Sequence, residues 1–137
     1  MSIASVLLVE DNHGDAVLLK EACAQAGVDL RFRHARDGVE AIESLRAPGR
    51  PAPDLVLLDL KLPRKDGREV LAEMKADPVL AAIPVVVLTS SKADRGLVEE
   101  FGLAPERYMV KPVDFEGYIE IAHRIARLLE GGARAGE

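Results

Sequence analysis

A single α/β domain, with a parallel sheet covered by helices on both faces, is the fold class predicted by three observations. Three apolar runs, Val6-Leu7-Leu8-Val9, Leu55-Val56-Leu57-Leu58 and Val85-Val86-Val87-Leu88, have the length and character of strands buried on both sides. Each run ends in oxygen-bearing side chains: Glu10-Asp11, Asp59 and Thr89-Ser90-Ser91. Segments of helical period lie between them, and strands alternating with helices imply right-handed crossovers in a parallel sheet.

After the first strand, apolar residues at 16, 19, 22, 23 and 26 mark one face of a helix over residues 14–26, which Gly27 stops. Leu30-Arg31-Phe32-Arg33-His34-Ala35 alternates apolar and polar, as an edge strand does. Asp37-Gly38-Val39-Glu40 is an Asp-x-x-Glu variant of the capping box and opens a helix running to about Arg46. A loop with Pro48, Gly49, Pro51 and Pro53 leads to the Asp59 strand. Asp66-Gly67-Arg68-Glu69 starts the next helix, whose apolar face is Val70, Leu71 and Met74, and Pro78 ends it. Ser91-Lys92-Ala93-Asp94 reads as a further start, for a helix ending near Gly102. Residues 107–110 form a short strand and residues 114–130 the final helix, before a Gly/Ala-rich tail at 131–137 that is expected to fray. The three fully apolar strands must be central and the other two must be edges. That gives the order 2-1-3-4-5 of a flavodoxin-like doubly wound (βα)5 fold, one domain over residues 1–130.

The bulk properties narrow the function classes. A chain of 137 residues, 48% of them apolar, suffices for one sizeable core. A net charge of -5 and a pI near 5.3, with scattered basic residues, argue against a nucleic-acid surface. Cys23 is the only cysteine and falls in a helical apolar pattern, so it reads as a small core residue. The first residues lack a secretory pattern and no stretch approaches the ~20 apolar residues that span a bilayer, so a soluble, cytoplasmic protein is expected. His13, His34 and His123 show no ligand spacing and read as surface or edge residues.

In open parallel sheets, ligands bind beyond the carboxyl ends of the strands, and there Glu10, Asp11 and Asp59 converge. Like charges ~4 Å apart cost on the order of 4 kcal/mol at an effective dielectric of ~20, so something positive must join them. An all-oxygen cluster selects a hard cation, and a partial shell with room for water and phosphate suits Mg²⁺ better than Zn²⁺. Helix capping alone would explain Glu10 and Asp11 but not the coincident acid after the third strand. Thr89 adds a hydroxyl donor and Lys111 a point charge able to reach phosphate. A carboxylate nucleophile, a divalent cation, a hydroxyl and a lysine are the parts that aspartyl phosphorylation needs.

On these residues the sequence resembles the receiver domain of two-component response regulators. Glu10-Asp11 matches the acidic pair, Asp59 the phosphoacceptor, Thr89 the switch hydroxyl and Lys111-Pro112 the Lys-Pro pair. Leu62-Pro63 and Asp66-Gly67 match in order between them, and the likeness runs from about Ile3 to Glu130. It implies that the Lys61 backbone carbonyl is a third protein ligand of Mg²⁺ and that Tyr108 is the aromatic that turns inward on phosphorylation. It also implies a cis Lys111–Pro112 bond. Lys61 and Ser91 flank the route of an attacking water and should influence the lifetime of the acyl phosphate.

The resemblance further implies a histidine kinase as donor. The short acidic chain is most similar to stand-alone receivers, some of which serve phytochrome-type kinases, so the phosphorylated state is expected to be read by another protein or by feedback to the kinase. A phosphotransferase or phosphatase of haloacid-dehalogenase type is the enzyme alternative, but it would carry a second Asp where Lys61 stands. An FMN-binding flavodoxin would want a Ser/Thr/Gly-rich phosphate loop where Glu10-Asp11-Asn12-His13 stands.

The last helix carries two apolar stripes. Phe115, Ile119, Ala122, Ala126 and Leu129 suffice to dock it on the sheet. Tyr118, Ile121, Ile125 and Leu128 then read as an uncovered stripe beside Val98 and Phe101, and predict a homodimer through the face of the fourth helix, fifth strand and fifth helix, with Ile121 near its symmetry mate.

Overall fold

In the computed structural model, which describes residues 3–90 and 96–131, five strands alternate with five helices. They are β1 (Ala4–Val9), α1 (His13–Gln25), β2 (Leu30–Ala35), α2 (Gly38–Arg46), β3 (Leu55–Leu58), α3 (Gly67–Ala76), β4 (Val85–Thr89), α4 (Leu97–Glu100), β5 (Tyr108–Val110) and α5 (Phe115–Glu130). Short 3-10 turns at Leu80–Ala82 and Pro105–Arg107 lead into the last two strands. Every strand pair is parallel and the order is β2-β1-β3-β4-β5, as the apolar runs predict.

Side chains alternate across each strand, so the sheet feeds two cores. Leu8, Leu57, Val86 and Met109 face α1 and α5, whereas Leu7, Val56, Val87 and Tyr108 face the side of α2 and α3. Cys23 lies in the first core, where burial pushes its thiol up to about 11 and keeps it unreactive at neutral pH. Among the described residues, no helix is long and apolar enough to cross a membrane.

Side-chain caps set the helix starts: Asn12, Asp37, Asp66 and Asp114 each accept a hydrogen bond from a backbone N–H of the first turn. The box at Asp66 and Glu69 is reciprocal. At α2 only Asp37 takes part as the sequence pattern suggests, because the Glu40 carboxylate accepts from Arg36 N–H instead.

The loop after β3 is held by close backbone approaches. A Cβ on Gly67 would lie 2.5 Å from the Asp59 carbonyl oxygen, and one on Gly38 only 2.0 Å from that of Lys65. Only glycine lets α2 and α3 begin so near the loop that follows Asp59. Within the loop, Arg64 takes a left-handed φ of 66°, and its guanidinium reaches the buried Asp37 carboxylate at 3.2 Å.

Two expectations are corrected. On α5, Tyr118, Ile121, Ala122, Ile125 and Leu129 are buried, and Ile121 is only 4% exposed. Phe115, Ile119 and Leu128 are the half-buried residues packed at the margin of that core. The docking face is therefore drawn from both stripes: Tyr118, Ile121 and Ile125 come from the one expected to be free, Ala122 and Leu129 from the one expected to dock, and the large side chains of the first three bring the most apolar surface. The premise of a twofold contact at Ile121 falls with it. The Lys111–Pro112 bond is trans, there being no cis peptide among the described residues; this is the isomer that X-Pro bonds prefer by ~0.5–1 kcal/mol. The helix start read at Ser91-Lys92-Ala93-Asp94, the tail beyond Gly131 and the side chain of Val98 lie outside what is described.

Candidate functional site

Main-chain hydrogen bonds place three corners of the site. One residue past each strand, the sheet ladder makes one more bond: Glu10 N–H donates to Ala35 O at 2.9 Å, Asp59 N–H to Val9 O at 3.0 Å and Lys111 N–H to Thr89 O at 2.8 Å. The side chains at the crevice thus spring from backbone that is still part of the sheet, and their starting points are fixed.

Glu10 and Asp59 are buried, Asp11 is exposed, and each offers a carboxylate oxygen, all within 4.8 Å of one another. Such an oxygen-only set fits a hard divalent cation. The Lys111 ammonium joins the same cluster, at 2.8 Å from Glu10 Oε1 and 2.9 Å from Asp59 Oδ2. The other Glu10 oxygen accepts from Asn12 N–H at 3.1 Å, and Asp59 Oδ1 accepts from Lys61 N–H at 3.3 Å. His34 Nε2 lies 2.8 Å from the Glu10 carbonyl oxygen, which can only accept, so that ring nitrogen donates.

The electrostatics follow from burial and crowding. Burial, with the Asp59 charge adding to it, pushes Glu10 up to about 7 against the opposing pull of Lys111. Burial also works against the Lys111 ammonium, yet its hydrogen bonds to Asp15, Glu10 and Asp59 outweigh that and push it up, so it stays charged. From α5, the buried Tyr118 phenol senses the same carboxylates: burial first, then Asp15, raises it.

Of the residues singled out from sequence, Glu10, Asp11, Asp59 and Lys111 are brought together. Thr89 ends β4 and is wholly buried beside them in the sheet, opposite Val110 in register. Lys61 is exposed at the rim. Tyr108 stands apart, at the start of β5, only 3% exposed and packed in the core facing α2 and α3. The residue that sequence reasoning missed is Asp15, whose Oδ2 lies 2.8 Å from Lys111 Nζ. Its one mark in the sequence is that of an acid in the first turn of α1, three residues after the Asn12 cap, where acids are common.

The family described as the response regulator receiver domain matches residues 6–123 of this chain. The probable methanogenesis regulatory protein FilR2 of Methanothrix harundinacea is 44% identical over 114 residues, 81% of this chain and 74% of that protein. Response regulator Rcp1 of Synechocystis is 43% identical over 110 residues, 77% of this chain and 75% of that protein. Its solved Mn(2+)-bound form has a TM-score of 0.77 at 38% identity, covering 90% of this chain and 92% of that one. The phosphorylated cyanobacterial phytochrome response regulator RcpA has a TM-score of 0.84 at 38% identity, over 99% of this chain and 100% of that one.

Proposed function

Because this chain belongs to the response regulator receiver domain family, a family of signalling switches rather than of conventional enzymes, we propose that Asp59 is the residue that accepts its phosphoryl group. The observation that carries this reading is the buried Asp59 carboxylate at the end of β3, 2.9 Å from the Lys111 ammonium and clustered with Glu10 and Asp11. A carboxylate oxygen of Asp59 forms the new P–O bond as the phosphorus–nitrogen bond of a kinase phosphohistidine breaks. The electron pair stays on the imidazole, which takes up a proton. Lys111 donates to an equatorial phosphoryl oxygen and the Thr89 hydroxyl to another, so charge on the transferring group meets fixed donors.

Glu10, Asp11 and Asp59, with the Lys61 backbone carbonyl, would hold Mg²⁺, which when bound neutralises the carboxylates and the incoming phosphoryl group. The oxygen-only donor set supports this assignment. Tyr108, adjoining β4 through Val87, is the aromatic we assign to the switch, relaying the state of Thr89 to the face of α4, β5 and α5.

The likeness to RcpA and Rcp1 supports a phytochrome-type histidine kinase as donor, which phosphotransfer profiling against the kinases of the source cell would test. For association of two copies through the face of α4, β5 and α5, the half-buried Ile119 and Leu128 are better placed than Ile121. Sedimentation with and without a phosphoryl mimic tests that. For the central reading, a small acyl-phosphate donor with Mg²⁺ should add one base-labile phosphoryl group, and Asp59→Asn should abolish it. Undiminished labelling of that variant would refute the assignment.

A further inference from the structure

The Lys111 ammonium has three N–H groups, and three carboxylates take them: Glu10 at 2.8 Å, Asp59 at 2.9 Å and Asp15 at 2.8 Å. Two of these acceptors belong to the oxygen cluster suited to a cation; Asp15 does not. Its backbone is pinned, because Asp15 N–H donates to the Asn12 cap at 2.9 Å in the first turn of α1. The Asp15 side chain is 29% exposed and that of Lys111 only 11%, so the bond is partly shielded from water.

We propose that Asp15 is a positioning residue for Lys111, a lateral anchor on α1 that holds the ammonium at the crevice wall when the oxygens of Glu10 and Asp59 turn to a cation and a phosphoryl group. The inference rests on the reading of Asp59 as phosphoacceptor and deepens it. Glu10 and Asp59 have two competing calls on their oxygens, the lysine and the cation. An acceptor outside the cluster weakens the lysine's hold on them without letting its four-carbon stem swing free. Loss of Asp15 should leave Lys111 leaning on Glu10 and Asp59, so a cation binds less readily and the ammonium is less well aimed at phosphate.

The test is a double-mutant cycle on the full chain, read by the Mg²⁺ dissociation constant from calorimetry and by the rate of labelling with a small acyl phosphate at saturating Mg²⁺. Asp15→Asn is expected to weaken Mg²⁺ binding and slow labelling by about fivefold each, the scale of one charge-assisted hydrogen bond in a half-shielded site. Asp15→Glu should recover most of both. In a Lys111→Met background the same Asp15→Asn change should alter either quantity by less than about twofold, since its target is gone. Wild-type behaviour of Asp15→Asn would overturn the proposal. So would an undiminished effect in the Lys111→Met background, which would make Asp15 a generic negative charge. An Asp59→Asn control separates the two readings: labelling that survives there defeats the phosphoacceptor assignment, while the Mg²⁺ arm of the cycle still reports on Asp15.

Discussion

Lys111 and Asp59, 52 positions apart in sequence, meet at 2.9 Å across the carboxyl edge of the sheet. Among the described residues, the ammonium is the one cation within hydrogen-bond reach of the cluster, and it neutralises charge that burial would otherwise make costly. Lys111→Met should therefore destabilise the fold by roughly 3 kcal/mol in the presence of a chelator, the scale of breaking a buried ion pair. Added Mg²⁺ should restore more stability to the variant than it gives the wild type, because the released oxygens can turn to the cation. Urea unfolding with and without Mg²⁺ measures both effects.

Glu10 should leave a signature in the dependence of stability on pH. Its carboxyl is raised from 4.5 to about 7 by burial and by Asp59. For an acid whose folded value lies above its unfolded one, the contribution is fully present below the unfolded value and is lost as pH rises through the folded value. Wild type should thus lose stability relative to Glu10→Gln between about pH 4.5 and 7, and the difference should level off above that. The Lys111 shift is upward from an already high value, so its contribution holds across the same window. Thermal melts of both proteins across this range, in chelator, check the sign.

Gly67 gives a test of how the loop after Asp59 is held. A methyl group there would press on the Asp59 carbonyl and the Leu60 Cα, at 2.5 and 2.6 Å. Both are backbone atoms that cannot turn aside. Gly67→Ala is expected to cost about 1–3 kcal/mol, as overpacking does, and to slow acyl-phosphate labelling as well, since the displaced atom belongs to the proposed acceptor residue. Denaturant unfolding and a labelling time course read the two effects.

Ile121 now tests the core rather than an interface. With the side chain 4% exposed between α5 and the sheet, Ile121→Glu buries an unpaired charge and should lower stability by about 3 kcal/mol or more, even in dilute monomer. Ile119→Glu, at a half-buried site, should be far milder for the fold. Circular-dichroism melts distinguish the pair.

The strand order was legible because β1, β3 and β4 each contain an unbroken run of four apolar residues that only central positions can accommodate, while Arg31, Arg33 and His34 mark β2 as an edge. The meeting of Glu10, Asp11 and Asp59 was legible for the same reason, since each follows directly from a strand end. The face of α5 was not. Both of its stripes are apolar, and the buried face takes residues from each, a selection settled by packing against α1 and the sheet, which leaves no mark in the spacing alone. Asp15 was equally hidden: in sequence it is one acid in a helix's first turn, where acids are common, and only the fold brings it to a lysine 96 residues away.

The ladder bonds at Glu10, Asp59 and Lys111 have a consequence for what can be changed. Each uses main-chain N–H groups that every amino acid except proline retains. The frame around the crevice therefore stays put when its side chains are exchanged, much as a workbench stays put when the tools on it are swapped. A survey of substitutions at these three positions and at the exposed Lys61 would vary reactivity against a constant geometric background, so changes in acyl-phosphate lifetime could be credited to the chemistry of the new side chain.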